Sequence, residues 1–396
     1  MSKNILFTYF SAFNPERGGI ERISYTLINA LKEKGYNVYA IHGEKPNKKE
    51  EIDQLPTKSF FLPVSNRKKI NCQENKSYYN KIIKDNNINV IINQEGNFSP
   101  SYFFLDIEIK DSIKIFSVIH SEPLFNYKSL FTETFRKRNA NTPFKRWIRH
   151  IILYPFRLKK EKLRLNKRLN YLNTKSNYIV LLSDKFKNEL KQFNPHITSD
   201  KIISIPNANT YPLSVSSKEY VKQKEVLFVG RLSDNDKRPD RLIQIWSLLG
   251  QRHPDWKLRF VGDGNEKDNL IRQASKFGLK NVIFEGYKNP KPYYEESAII
   301  CLTSNFEGMP MVILEAKQHG VIPIMFESFA SASDIITHEK DGMLIPPFDL
   351  NKYTDSLERL MNNENLRHQM SRNSLKSSKC FDLENIVDIW IRYIED

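Results

Sequence analysis

The chain has 396 residues, 40% of them hydrophobic, with 25 Phe and 18 Tyr, and a formal net charge of +15. That length exceeds one typical core and predicts two domains, while the apolar content excludes a disordered chain. No apolar run approaches roughly 18 residues, which excludes a membrane-spanning helix, and the positive balance favours anionic partners.

The first stretch, "NILFTYF" (4–10), reads as a strand; it lacks the small-residue cleavage site of a signal peptide. Ile20, Ile23, Leu27 and Leu31 then fall on one face of a helix over 20–34, which Gly35 ends. Gly18 and Gly19 lie just before that helix, where missing side chains permit close approach to a ligand. A tight turn accounts equally well for a glycine pair, and the spacing is not G-x-G-x-x-G. Further strands follow at 37–43, 89–94 and 113–120. His120 ends the last of these, at a carboxyl tip, where it points into a ligand cleft or serves as an ordinary loop residue.

From Arg136 to Arg168 about a dozen Lys and Arg stand against one acid, Glu161. Trp147, Ile148, Ile151, Ile152, Leu153, Tyr154 and Phe156 are interleaved with them. Such a segment either lies in an anionic membrane interface or forms a solvated helix pair with its apolar side in the core. The three cysteines, Cys72, Cys301 and Cys380, show no motif spacing and read as reduced thiols of a cytosolic protein.

A strand at 177–183 leads into a helix with Ser183 as its N-cap, and "KIISIPN" (201–207) closes the first half. The polar stretch "ANTYPLSVSSKEYVKQK" resembles a linker. The alternation then restarts: strands at 225–230, 257–262, 282–284, 297–304 and 321–326, helices at 238–250, 265–277 and after Met309, and a mostly helical remainder. The expected fold class is α/β, with two doubly wound Rossmann-like domains of parallel sheet facing across a cleft. The expected domains are 1–207 and 208–383, with the last helix, about 384–396, free to pack back on the first. Ligands of such sheets bind beyond the carboxyl ends of the strands.

Two motifs lie at those ends. In "FEGMPMVILEA" (306–316), Glu307 precedes a helix and Glu315 lies about a turn and a half inside it. Pro310 suits the first turn of that helix and Gly320 its C′ position. The loop Asn305–Met309, Gly308 included, therefore meets a helix N-terminus, where free amides favour a phosphate. Either glutamate alone is explained by the helix dipole; the pair suits hydroxyl groups at two ends of a ligand. In "VGRLSDNDKRPDRL" (229–242), Arg231 stands on a strand tip, and Lys237 and Arg238 open the next helix. Such cations neutralise a diphosphate, although ordinary surface charge explains a lone lysine.

Together, "GRLSDNDKRPDRLI", "FEGMPMVILEA" and "RGGIER" resemble the retaining GT-B glycosyltransferases of family 4, also called glycosyl transferases group 1, with Glu307 to Glu315 as the E-x7-E motif. The resemblance spans nearly the whole chain and is strongest from about 225 to 347. It implies a nucleotide-sugar donor, a uridine diphosphate sugar by preference, held by the C-terminal domain. It implies Arg231 and Lys237 on the diphosphate, Glu307 on the sugar hydroxyls and Glu315 on the ribose. Backbone groups near Met311 and Val312 would contact sugar and phosphate, with Gly308 and Met309 in the same turn. Gly19 would approach the diphosphate from the other domain, and His120 matches the family's cleft histidine. The segment between Lys110 and Asn177 departs from the family, so the acceptor does not carry over.

The expected reaction moves a sugar to a glycan or lipid-linked glycan acceptor of bacterial surface polysaccharide synthesis. It needs no cofactor or metal: Arg, Lys and a helix N-terminus stand where an Asp-x-Asp site would hold one. The expected location is cytoplasmic, with residues 136–168 either at the inner face of the plasma membrane or packed as a solvated helix pair. The alternatives are a sugar-nucleotide epimerase of the same architecture, a non-catalytic partner subunit and a basic nucleic-acid-binding protein. The intact Arg231, Lys237, Glu307 and Glu315 disfavour the partner subunit, and the lack of any recognition motif disfavours nucleic acid.

Overall fold

The structure, a computed structural model, describes residues 3–16, 18–46, 48–96, 101–108, 112–135, 144–211 and 222–396. Part of the expected linker, 212–221, and the start of the basic block, 136–143, lie outside these residues. The chain divides into two compact units, Met1–Pro206 with Leu383–Asp396, and Asn207–Asp382.

The first unit holds strands β1 (Asn4–Tyr9), β2 (Asn37–His42), β3 (Lys58–Phe61), β4 (Val90–Asn93), β5 (Lys114–Val118), β6 (Tyr178–Leu181) and β7 (Ile202–Ser204). They form one parallel sheet in the order β3-β2-β1-β4-β5-β6-β7. The inner strands are apolar on both faces, as a sheet covered on two sides requires. The helix Gly19–Glu33 covers it with Ile23, Leu27, Ile28 and Leu31. Gly35, at φ 89°, supplies the left-handed residue that ends the helix. The C-terminal helix Leu383–Glu395 buries Ile386, Val387, Trp390 and Ile394, and the Trp390 ring meets Phe116 edge-on at 5.6 Å. Lys114 Nζ donates to the carbonyls of Tyr393 (3.1 Å) and Ile394 (3.4 Å). Those carbonyls have no partner within the helix, and a cation suits its negative end.

The second unit holds β8 (Gln223–Val229), β9 (Lys257–Val261), β10 (Val282–Gly286), β11 (Ser297–Leu302), β12 (Ile322–Phe326) and β13 (Met343–Ile345). The sheet is again parallel, in the order β10-β9-β8-β11-β12-β13. Leu242, Ile245, Trp246 and Leu249 pack the helix Pro239–Leu249 into its core. Gly262, at φ 143°, could not carry a side chain, since a Cβ there would fall 1.9 Å from the Gly230 carbonyl. The carboxyl ends of β8 and β9 thus approach backbone to backbone.

The stretch after 326 is mostly helical, as expected, but holds one strand that the sequence did not show: β13 closes one edge of the sheet, and three residues are too few to show a period of two. The strand β3 went unforeseen for the same reason, with four residues and no alternation.

Candidate functional site

In the second unit the strand order reverses between β8 and β11, with β9 and β10 on one side and β12 and β13 on the other. A switch point of this kind opens a crevice beyond the carboxyl ends of the two neighbouring strands. The loops there are 230–238 and 303–310, the two that carry the sequence motifs.

The first loop ends on Arg238, whose φ of 50° is left-handed. Its guanidinium grips Asp240 through two hydrogen bonds of 2.9 and 2.8 Å, and its amide donates to the Ser233 carbonyl at 2.9 Å. This sharp turn delays the helix until Pro239, so Arg238 does not open the helix as expected and Lys237 remains on the loop. Lys237 Nζ reaches Glu307 Oε1 at 2.6 Å, and Ser304 Oγ donates to the same oxygen at 2.7 Å. The loops are stitched together alongside. Asn305 donates its amide to the Asp236 carbonyl and its side chain to the Asn235 carbonyl, both at 2.7 Å, and Thr303 Oγ1 donates to the Arg238 carbonyl at 2.8 Å. These bonds hold Lys237 against Glu307 across 70 residues of sequence.

Arg231 is exposed and pairs with Asp236 at 2.8 Å, one residue before Lys237. Burial pushes the Asp236 carboxyl up, but hydrogen bonds from Ser233 and Arg231 outweigh it and hold the pKa below the usual range. Arg231 is thus anchored by its terminus to the loop that carries Lys237.

The second loop runs into the helix Met311–Gln318, with Pro310 as its N-cap and not in its first turn. The amides of Ile313 and Leu314 bond to the Pro310 carbonyl at 3.0 and 3.5 Å. Those of Met311 and Val312 precede this ladder, at the positive end of the helix. The Gly308 carbonyl accepts from Ser331, and Met309 turns inward, its sulfur 3.3 Å from the Asn207 amide. Gly320, at φ 70°, follows the helix as expected. Glu315 is buried and engaged: Tyr294 donates its hydroxyl to Oε2 at 2.9 Å and Thr210 to Oε1 at 3.1 Å. The structure therefore brings together Lys237, Glu307, Gly308 and the helix start, with Arg231 one ion pair away. It places Glu315 beneath them among its own donors. The roles of Asp236, Thr303, Ser304 and Asn305, which complete the arrangement, went unread in the sequence: Thr303 and Asn305 bond to the other loop, and Ser304 and the Asp236 side chain bond within their own.

The first unit has its own reversal, between β1 and β4. Gly18 and Gly19 lie there at the start of the helix Gly19–Glu33. Glu21 folds back over this turn, since a Cβ on Gly18 would fall 2.7 Å from its Oε2. His120 follows β5, with Nε2 2.5 Å from Gln94 Oε1. The residue keeps some exposed surface, yet burial of its imidazole lowers the pKa to about 4, so it is neutral near pH 7.

Glu95, just past β4, was missed in the sequence; an acid at a switch-point strand tip was the available signal. It is 3% exposed and its Oε2 has no hydrogen-bond partner. Burial raises its pKa from 4.5 to about 7; Arg67 and the Phe10 backbone oppose this, and Glu21 and Glu44 add to it. The folded protein holds this proton more tightly than the unfolded chain. Its contribution to stability is full below about pH 4.5 and is lost as pH rises through about 7. Glu95→Gln, which cannot ionise, is expected to gain stability relative to the parent between those limits, by up to about 3 kcal/mol. Thermal unfolding at about pH 4.5 and pH 8 checks this, and a gap that does not change with pH contradicts it.

Residues 213–377 match the family model described as Glycosyl transferases group 1. The match lies within the second unit, Asn207–Asp382. Similar proteins include an "Uncharacterized glycosyltransferase" of Haemophilus influenzae, 27% identical over 94% of this chain and 95% of that one. The amylovoran biosynthesis glycosyltransferase AmsD of Erwinia amylovora is 33% identical over 43% of this chain and 47% of its own length. A Campylobacter jejuni α-1,4-N-acetyl-D-galactosaminyltransferase, named as acting on a diNAcBac-PP-undecaprenol-linked glycan, is 29% identical over 45% of this chain and 49% of its own. The alignments with the last two thus span about half of those proteins. Among solved structures, S. aureus TarM, in complex with Fondaparinux, alpha-GlcNAc-glycerol and UDP, superposes with a TM-score of 0.74 at 15% identity, over 100% of both chains. Anabaena HepE in complex with UDP superposes with a TM-score of 0.75 at 15% identity, over 99% of both. The chain has their fold, GT-B, built of two Rossmann-like domains with parallel sheets.

Proposed function

We propose that the protein is a retaining, metal-independent glycosyltransferase of family 4. It moves a hexosyl or N-acetylhexosaminyl group from a uridine diphosphate sugar to a glycan or lipid-linked glycan acceptor of bacterial surface polysaccharide synthesis. It acts in the cytoplasm, at the inner face of the plasma membrane. The observation that carries this reading is the 2.6 Å pair of Lys237 and Glu307 at a switch point, beside the start of the helix Met311–Gln318. A cation, a carboxylate and free amides at one place suit a ligand with both phosphates and hydroxyls. The amylovoran and undecaprenol-linked activities named for two relatives support the acceptor class.

In the proposed reaction Lys237, Arg231 and the Met311 and Val312 amides take the diphosphate. Glu307, released from Lys237, accepts hydrogen bonds from sugar hydroxyls, and Glu315 exchanges Thr210 or Tyr294 for the ribose. Gly19, at a helix start, and His120, just past β5, are further residues of the first unit that the resemblance assigns to the donor. The bond between the anomeric carbon and the diphosphate oxygen breaks, and the diphosphate leaves with the electron pair. The acceptor oxygen bonds to the carbon on the same face and passes its proton to the departing phosphate. Fixed cations and amides stabilise the growing charge without reorganising.

A thermal-shift series with nucleotide sugars tests the donor. A bound uridine diphosphate sugar at about a hundred times its Kd stabilises the fold by about 2.7 kcal/mol. No shift with any nucleotide sugar counts against the proposal.

A further inference from the structure

We infer that the outer face of the helix Tyr154–Lys175, with its junction to the helix Phe144–Ile152, is a docking surface for an anionic lipid bilayer. Leu165, Arg168, Leu169 and Leu172 turn the long helix into its unit. Its other side carries Phe156, Lys159, Lys160, Leu163 and Lys167, at spacings of three, four and seven that share one face. Phe156 is 73% exposed and Leu163 62%, about 10 Å apart along the axis. Ile152, 65% exposed, and Leu153 continue the apolar surface at the junction. Phe131, 58% exposed, lies with its ring 6.3 Å from that of Tyr154.

Single exposed apolar residues are ordinary; a run of them on neighbouring turns is not. The charges around them are of one sign. The exposed residues between 149 and 167 include Arg149, Lys159, Lys160, Lys162, Arg164 and Lys167 and no carboxylate; Glu161 is mostly covered, 3.7 Å from Arg164. A second copy of this face would set like charges against like. A bilayer with anionic headgroups matches both features: the rings and aliphatic chains enter the acyl boundary while the lysines reach the phosphates. The surface would hold the enzyme where the proposed lipid-linked acceptor lies. It is measured without donor or acceptor, so its failure leaves the donor reading standing, and the reverse.

The test is co-flotation of the whole protein with phosphatidylglycerol-rich vesicles at low salt, beside pure phosphatidylcholine vesicles. Binding to the former and not the latter is expected. Each lysine near such a surface is worth roughly fivefold in affinity, so Lys159→Glu with Lys160→Glu should weaken binding by at least about 25-fold. Phe156→Ser with Leu163→Ser, exposed and so expected to leave the melting temperature unchanged, should weaken it by at least about tenfold. Absence of binding to the anionic vesicles overturns the inference, as does equal binding by the serine variant. A solution dimer that the serine variant abolishes, without vesicle binding, assigns the face to a second copy and overturns it too.

Discussion

Lys237→Ala is expected to lower sugar transfer by about 10²- to 10³-fold, mainly in kcat. Lys237 is held in place by the fold. The left-handed Arg238 keeps it out of the helix, and the Asn305 and Thr303 hydrogen bonds fix its loop against the next. Its 2.6 Å contact with Glu307 stores both groups in neutralised form until a ligand separates them. In the transition state the leaving diphosphate gains charge, so a fixed cation gains most there and the loss falls on kcat. The alanine variant keeps Ser304 on Glu307, so the loop is expected to persist and the melting temperature to move little. Steady-state kinetics against the parent checks this; unchanged kcat removes Lys237 from the reaction.

Lys317→Met is expected to destabilise the protein by about 3–5 kcal/mol, through a different mechanism. Lys317 lies on the buried face of the site helix, fully buried, with Nζ 3.0 Å from Asp341 Oδ2 and donating also to the Ile335 carbonyl. Burial pulls its pKa down and Asp341 pushes it back. Asp341 also accepts the Thr337 amide at 2.7 Å. Removing the lysine leaves a buried carboxylate without its counter-charge, which is the costly half of breaking such a pair. For a unit of this size the melting temperature should fall by about 6–20 °C. Adding Asp341→Asn removes the stranded charge while keeping an acceptor for Thr337, and should recover most of the loss. Calorimetry of the three proteins decides; a single variant as stable as the parent contradicts the argument.

The fold was legible wherever an element was long enough to show its period. The helix with Ile23, Leu27 and Leu31 and most of the strands were read at their observed places, and strand–helix alternation pointed to two parallel sheets. The short edge strands β3 and β13 carry no periodicity, and only the completed sheet defines them. In the site, Lys237 and Glu307 were singled out separately, from a strand tip and from a helix start. That they touch depends on strand order, which places β8 beside β11. The same distance in sequence hid Glu95, whose raised pKa comes from burial and from Glu21 and Glu44 on other segments. It hid Lys317 as well, whose place in a helix gives no sign that Asp341 lies opposite. Glu315 was read correctly as interior to a helix, but not as already held by Tyr294 and Thr210.

The account rests on the switch-point pair as a diphosphate and sugar site, and calorimetric titration of UDP into the parent protein and Lys237→Ala tests it most directly. The predicted result is saturable binding by the parent and binding weaker by at least about tenfold, or about 1.4 kcal/mol, in the variant. Equal UDP affinity in the two proteins, both folded, would contradict it.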